Sequence, residues 1–194
     1  DAKAVAVRLF DPDTLFKLAQ WRRAKHYIKT PLKGPYVVAV HIVKGGTGKT
    51  TTAAEIALHL QLAGMKVLAI DLDVQSNLTQ YMGYEADLEL KDAEAFNLTS
   101  EAVVGKTFAH VVCPYVGRGT TDSVGELIKK PFGEHGPHLI PSDANLGDME
   151  YAVSASKGAR ELLLRKLLAE AAQGKIPGFD ISKYDVIVMD CPPN

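Results

Sequence analysis

The sequence predicts a three-layer α/β fold, a mostly parallel sheet covered by helices on both faces, and three observations predict it. Strand-length apolar runs recur at 36–43, 66–71 and 184–190, with none of the polar alternation of a half-solvated strand. A glycine-rich loop and a helical stretch separate the first two runs, and strand, loop, helix and strand make a βαβ unit whose strands are parallel. The 194 residues are 46% hydrophobic and 23% charged, enough to bury a sizeable core.

Taken in order, residues 11–28 read as an amphipathic helix. Pro12 stands near its start, Leu15, Leu18, Trp21, Ala24 and Ile28 form its apolar stripe, and Arg22, Arg23 and Lys25 lie beside it. Pro31, Gly34 and Pro35 break that pattern, so residues 1–35 are read as an N-terminal helical extension and 36–194 as the main domain. The run Tyr36 to Val43 is the first core strand, expected to be covered on both faces. Residues 50–63 read as a helix closed by Gly64, and Lys66 to Asp71 as a second buried strand ending in acid. Between 83 and 136 the periodicity is weak, with helices expected around 100–112 and 123–130. Residues 138–142 form a short strand. Residues 158–172 form a Leu-rich helix with Leu163, Leu164, Leu167 and Leu168 toward the core and Arg160, Lys166 and Glu170 toward water. Tyr184 to Asp190 is another buried strand ending in acid, and a chain that stops just past it would leave part of the sheet uncovered, so the natural protein is expected to continue by roughly 60 residues or more.

Composition narrows the function classes. A formal net charge of −1 gives no global attraction to nucleic acid or anionic lipid, so such contacts need a local patch. Two cysteines are too few for the disulfide framework of a small secreted domain, which points to a reducing cytoplasm. No apolar run approaches the 20 or so residues of a membrane span, so no membrane partner is expected. The His135/His138 and His110/Cys113 pairs do not make a four-ligand metal set.

The chemistry concentrates in Lys44-Gly45-Gly46-Thr47-Gly48-Lys49-Thr50-Thr51, between a buried strand and a helix. Triphosphate is a dense anion. Glycines let successive backbone N–H groups turn inward around it, and the helix N-terminus adds its positive end. Lys49 then reaches the β- and γ-phosphates, and the Thr50 hydroxyl is placed to ligand Mg²⁺, as in a P-loop. Val43 stands where the strict phosphate-loop pattern has its first glycine, with Lys44 beside it. In an open parallel sheet, ligands bind beyond the carboxyl ends of the strands, so Asp71, Asp73 and Asp190 should converge on Lys49. Asp190, closing an apolar strand, fits a carboxylate that holds Mg²⁺ through its water shell.

Lys44 to Thr51 resembles the deviant Walker A motif of the ParA/MinD ATPases, and three later blocks are similar to that family in the same order. Ile70-Asp-Leu-Asp-Val-Gln-Ser-Asn-Leu-Thr79 matches its Asp-x-Asp-Pro-Gln-x-Asn-x-Thr pattern apart from Val74 in place of proline. Leu139 to Asp143 with Asn145, Met149 and Glu150 forms the next block, and Tyr184 to Pro193 the last. The resemblance implies an ATP-binding and ATP-hydrolysing partition protein of plasmids or chromosomes. It also implies Mg²⁺ at Thr50, Asp71 and Asp190, an attacking water oriented by Asp73, and a Lys44 that reaches the partner's phosphates across an ATP-state homodimer. It further implies non-specific DNA binding, a ParB-type centromere-binding partner and nucleoid association. Two other readings stay open: a MinD-like membrane-cycling ATPase, against which Gln75, Asn77 and Thr79 argue, and a nucleotide-dependent dimerisation module with little hydrolysis, which Val74 beside Asp73 keeps in play.

Overall fold

In a computed structural model, residues 9–28, 34–44, 46–116, 127–148 and 160–193 are described below. Gly45, Met149, Glu150 and residues 123–126 and 158–159 of two expected helices lie outside them. The elements are α1 (Pro12–Ala24), β1 (Tyr36–Val40), α2 (Lys49–Leu62), β2 (Val67–Asp71), α3 (Asn77–Tyr81), α4 (Phe108–Val112), β3 (His138–Ile140), α5 (Arg160–Ala172) and β4 (Val186–Asp190).

The sheet has strand order β1-β4-β2-β3, and every pairing in it is parallel. Strand β4 lies between β1 and β2, with Val38 and Ala69 both opposite Val188 and with Asp190 opposite Asp71. That register brings the acids at the ends of the two central strands level with each other at the carboxyl end of the sheet. Strands β2 and β4 are buried at every position, as their unbroken apolar runs predict.

Side chains alternate between two cores. Val67, Ala69, Val186 and Val188 meet Ala53, Ala54 and Ala57 of α2, whose small side chains let the helix lie close on the sheet. Leu68, Ile70, Ile187 and Met189 face the other way, onto Phe108, Val111 and Val112 of α4 and Leu167 and Ala171 of α5. Fully burying one such Leu or Ile contributes about 2 kcal/mol. Helices on both faces of a parallel sheet make the three layers that the sequence predicts.

Four expectations are corrected. Strand β1 is an edge rather than a doubly covered strand: Tyr36 and Val37 are about half exposed, and the strand ends at Val40 rather than Val43. Helix α1 turns a different face inward, because Phe16 and Ala19 are buried whereas Leu15, Leu18 and Trp21 stay about half exposed. The helix expected over 100–112 shrinks to α4. Val103 bridges Glu85 as extended chain, and the helix begins only at the Thr107 cap, where Thr107 N–H donates to His110 Nδ1. Lys129, expected to be helical, is paired instead with Leu139 of β3 in an isolated antiparallel bridge.

Helix α1 packs on α2. Its Asp11 side chain caps the helix by accepting from Thr14 N–H at 2.7 Å. Arg23 ties its far end to the sheet by donating from both guanidinium nitrogens to the Asp185 carboxylate, just before β4.

Candidate functional site

The glycine loop leaves β1 and enters α2 through two residues of left-handed backbone, Gly46 at φ +73° and Gly48 at φ +79°. A Cβ built at either position meets nothing within 4 Å, so backbone hand, not crowding, demands glycine here. Gly48 is the N-cap of α2 and supplies no side chain to its first turn. The helix therefore presents its first-turn N–H groups and the positive end of its dipole to the space above the loop.

The first two side chains of α2 turn to the end of β4. Lys49 Nζ donates to Asp190 Oδ1 at 2.8 Å and to Asp73 Oδ2 at 3.2 Å. The Thr50 hydroxyl donates to Asp190 Oδ2 at 2.7 Å. Asp190 has no exposed surface and Asp73 very little. Burial alone would pull the Lys49 pKa down, but the hydrogen bonds and charges of Asp190 and then Asp73 outweigh it, so the ammonium is held protonated above its usual range.

Asp71, fully buried at the end of β2, faces its own chain. Its Oδ1 accepts from Asp73 N–H at 3.1 Å, and its Oδ2 accepts from Thr79 N–H at 2.9 Å and the Thr79 hydroxyl at 2.8 Å. The Thr79 oxygen in turn accepts from Ser142 N–H at 3.0 Å, which joins the end of β3 to the same network. Burial pushes the Asp71 carboxyl up to about 6, against the opposing pull of the Thr79 and Asp73 hydrogen bonds, with Asp190 nearby adding to the rise. Asp71 thereby fixes the turn that carries Asp73, and Asp73 Oδ1 closes that turn by accepting from Gln75 N–H at 3.0 Å.

A cleft of about 430 Å³ opens over these groups, lined among others by Lys44, Gly46, Thr47, Gly48, Lys49, Thr50, Thr51 and Asp73. Of the residues singled out in the sequence, Lys49, Thr50, Asp73 and Asp190 are in direct contact, and Lys44, Thr47 and Thr51 line the cleft. Asp71 stands behind Asp73, and Gly45 lies outside the described residues. Lys44 is exposed, and its carbonyl accepts from the Thr47 hydroxyl at 3.0 Å. Tyr81 and Pro193 also line the cleft, and sequence reasoning did not single out either of them. The four-residue spacing of Asn77 and Tyr81, one turn apart on α3, is the signal that places both on one side.

A larger concavity of about 1210 Å³ lies at the opposite end of the sheet under α1, with Lys17, Arg23, Lys66 and Asp185 in its wall. It lacks the convergence of glycine loop, helix N-terminus and buried carboxylates, so chemistry favours the smaller cleft. Among the described residues, no three His, Cys, Asp or Glu side chains group to hold a metal ion.

Residues 36–194 match the AAA domain family. The chain is 28% identical over 174 residues to a putative replication protein A of Sinorhizobium fredii, covering 88% of this chain and 38% of that protein. It is 30% identical over 151 residues to the chromosome-partitioning ATPase Soj of Treponema pallidum, covering 78% and 46%. The chain thus spans less than half the length of either relative. Among solved structures it is similar to cobyrinic acid a,c-diamide synthase from Mycobacterium smegmatis with bound ATP analog and magnesium. That likeness has a TM-score of 0.60 and 26% identity, over 83% of this chain and 52% of the other.

Proposed function

This chain belongs to the AAA domain family, on its ParA-type partition ATPase branch, and from that premise we propose that it binds ATP with Mg²⁺ and hydrolyses it as a nucleotide-driven switch in plasmid or chromosome partition. One observation carries the reading: Lys49, Thr50, Asp73 and Asp190 converge at the mouth of a glycine loop that opens a helix.

The residues fit the group. The first turn of α2 offers backbone N–H donors without a competing side-chain cap, as a polyphosphate needs. Thr50 Oγ1 and Asp190 Oδ2, 2.7 Å apart, are the two hard oxygens that would face Mg²⁺. An ion that keeps several waters and takes its other ligands from phosphate needs no three-carboxylate cluster. When bound, Mg²⁺ neutralises the charge that develops on the γ-phosphoryl group. Lys49 would exchange its carboxylate partners for phosphate oxygens and hold their charge. Asp73 would accept a hydrogen bond from the attacking water and align it with the phosphorus. Asp71, held by Thr79, would keep Asp73 in place and support Mg²⁺ from behind rather than touch it.

Lys44, exposed at the rim, is free to reach the phosphates of a second copy, so the ATP state is a homodimer whose sites are complete only when two chains meet. In this reading the dimer binds DNA without sequence preference, associates with the nucleoid in the cytoplasm and is stimulated by a ParB-type centromere-binding protein. No helix among the described residues is long and apolar enough to cross a membrane.

Size-exclusion chromatography of the full-length protein with ATP and Mg²⁺ tests the switch. Wild type is expected to shift to dimer, Lys44→Ala to bind ATP without the shift, and Lys49→Ala to do neither. An unchanged elution of wild type with saturating nucleotide would remove the switch from the reading.

A further inference from the structure

A net charge of −1 leaves any nucleic-acid contact to a local patch, and the concavity under α1 is such a patch. Its wall holds Lys17, Arg23, Lys66 and Lys183 against one carboxylate, Asp185, a net of +3. Arg23 is ion-paired with Asp185. The other three cations are exposed, and among the described residues no carboxylate makes a salt bridge with any of them. Two further acids of the region, Asp13 and Glu134, are hydrogen-bonded to His135 and Lys130. Lys17 comes from α1, Lys66 from the residue before β2 and Lys183 from the turn before β4, so the fold gathers them from three separate segments. Fixed cations without acidic partners are what a phosphate backbone binds.

Trp21 stands in the same wall, 51% exposed, and packs against Tyr27, 69% exposed, with ring centroids 5.9 Å apart. Covering such rings is favourable, and a flat partner covers them best. The bases of a single strand follow their phosphates and present free faces, whereas those of a duplex are already stacked on one another. At about 1210 Å³ the concavity is also larger than the roughly 300–1,000 Å³ of pockets that enclose one small ligand, which suits a strand passing through.

We propose that this concavity is a binding site for single-stranded nucleic acid, with Lys17, Lys66 and Lys183 on its phosphates and a base lying on Trp21. The site is at the amino ends of β2 and β4, whereas the glycine loop follows the carboxyl end of β1. Strand binding therefore needs no ATP, and it rests neither on the partition reading nor on duplex binding by an ATP-state dimer.

The test is fluorescence anisotropy of nucleotide-free full-length protein with a labelled oligothymidylate of about 20 nucleotides, longer than the roughly 4–16 that one such groove covers. Wild type should bind with a Kd of about 1–100 μM at physiological salt, and log affinity should fall with log salt at a slope of about −2, as three neutralised phosphates of a single strand give. Lys66→Glu with Lys183→Glu should weaken binding about tenfold or more and flatten the slope to about −1. Both side chains are exposed, so this double variant should unfold at the wild-type temperature. Trp21, the sole tryptophan, reads stacking directly, and its emission should be quenched as the strand binds. Trp21→Ala should weaken binding about tenfold and Trp21→Phe much less, since a phenyl ring also stacks. Five results would each overturn the proposal: no binding up to about 100 μM, a Trp21 emission that ignores the strand, a double variant that binds as wild type does, a duplex of equal length that binds as tightly, or thymidine monophosphate that quenches Trp21 with the oligomer's affinity. The last two would assign the concavity to duplex DNA or to a single nucleotide.

Discussion

Lys49 and Asp190 form a buried ion pair, Nζ 2.8 Å from Oδ1, at the point where α2 begins and β4 ends. The lysine side chain is 10% exposed and the carboxylate not at all. Removing one partner leaves the other charged and buried, whereas removing both removes the problem. Lys49→Met is therefore expected to lose about 3 kcal/mol of stability, and Lys49→Met with Asp190→Asn to regain most of it. Urea denaturation of the three proteins measures this directly, and losses that simply add would contradict a paired site. The double variant should still fail to bind ATP, since stability returns without the cation that phosphate needs.

Asp73 makes a contrasting prediction. It touches Lys49 only at 3.2 Å, and its backbone position is set by Asp71. Asp73→Asn should keep ATP affinity within a few-fold and lower hydrolysis by about 100-fold or more, the usual range for losing a group that orients and accepts a proton. Phosphate release beside equilibrium nucleotide binding separates the two effects. A variant that hydrolyses at the wild-type rate would remove Asp73 from the chemistry and favour a switch that cycles without it.

Gly64 shows how closely α1 sits on the domain. At φ +86° a Cβ there would lie 2.8 Å from the Ala19 carbonyl oxygen and 3.1 Å from Arg23 Cβ. Gly83 has φ +88° and open space around it. Gly83→Ala should thus cost only the backbone strain, about 1 kcal/mol, and Gly64→Ala roughly 2–4 kcal/mol, because α1 must also move. Thermal unfolding ranks the pair, and Trp21 emission should change in the Gly64 variant alone. Equal costs would mean that α1 yields without penalty.

How much of this was legible in the sequence depends on how many alternatives each residue had. Strands β2 and β4 could be read directly, because runs such as Val186 to Met189 are apolar on both faces and end in an acid. The loop from Lys44 to Thr51 was legible because strand, glycines, lysine and helix all point to one ligand. Helix α1 turns inward a face that its sequence does not single out, since Leu15–Leu18–Trp21 is as periodic as Phe16–Ala19 and the groups that receive the buried side, Phe132 and Gly64 among them, lie far along the chain. Likewise, β1 has the composition of a central strand, and it stands at the edge because among the described residues only β4 pairs with it. The Asp71–Thr79–Ser142 network joins three separate segments and leaves no local pattern, although Thr79 was visible as part of a motif.

Asp71 supplies the last prediction, in which sign matters. Burial raises its folded-state carboxyl from 3.8 to about 6, so between those values the folded protein holds a proton that the unfolded chain has lost. Folding is then favoured at the acidic end of that window, and the contribution is lost as pH rises through it and is constant above. Asp13, Asp180 and Asp185 are lowered instead, so their contributions fade only below the ordinary carboxylate range, outside this window. Asp71→Asn has its own cost, because an amide nitrogen cannot accept from the Asp73 N–H, but that cost does not vary with pH. Comparing wild type and variant by urea unfolding at two pH values, one near the lower end of the window and one above it, cancels the fixed cost. The remaining difference should be on the order of 2 kcal/mol, wild type losing more as pH rises. Parallel stability profiles for the two proteins would mean that Asp71 is ionised across the window and that its hydrogen bonds from Thr79 and Asp73 outweigh burial.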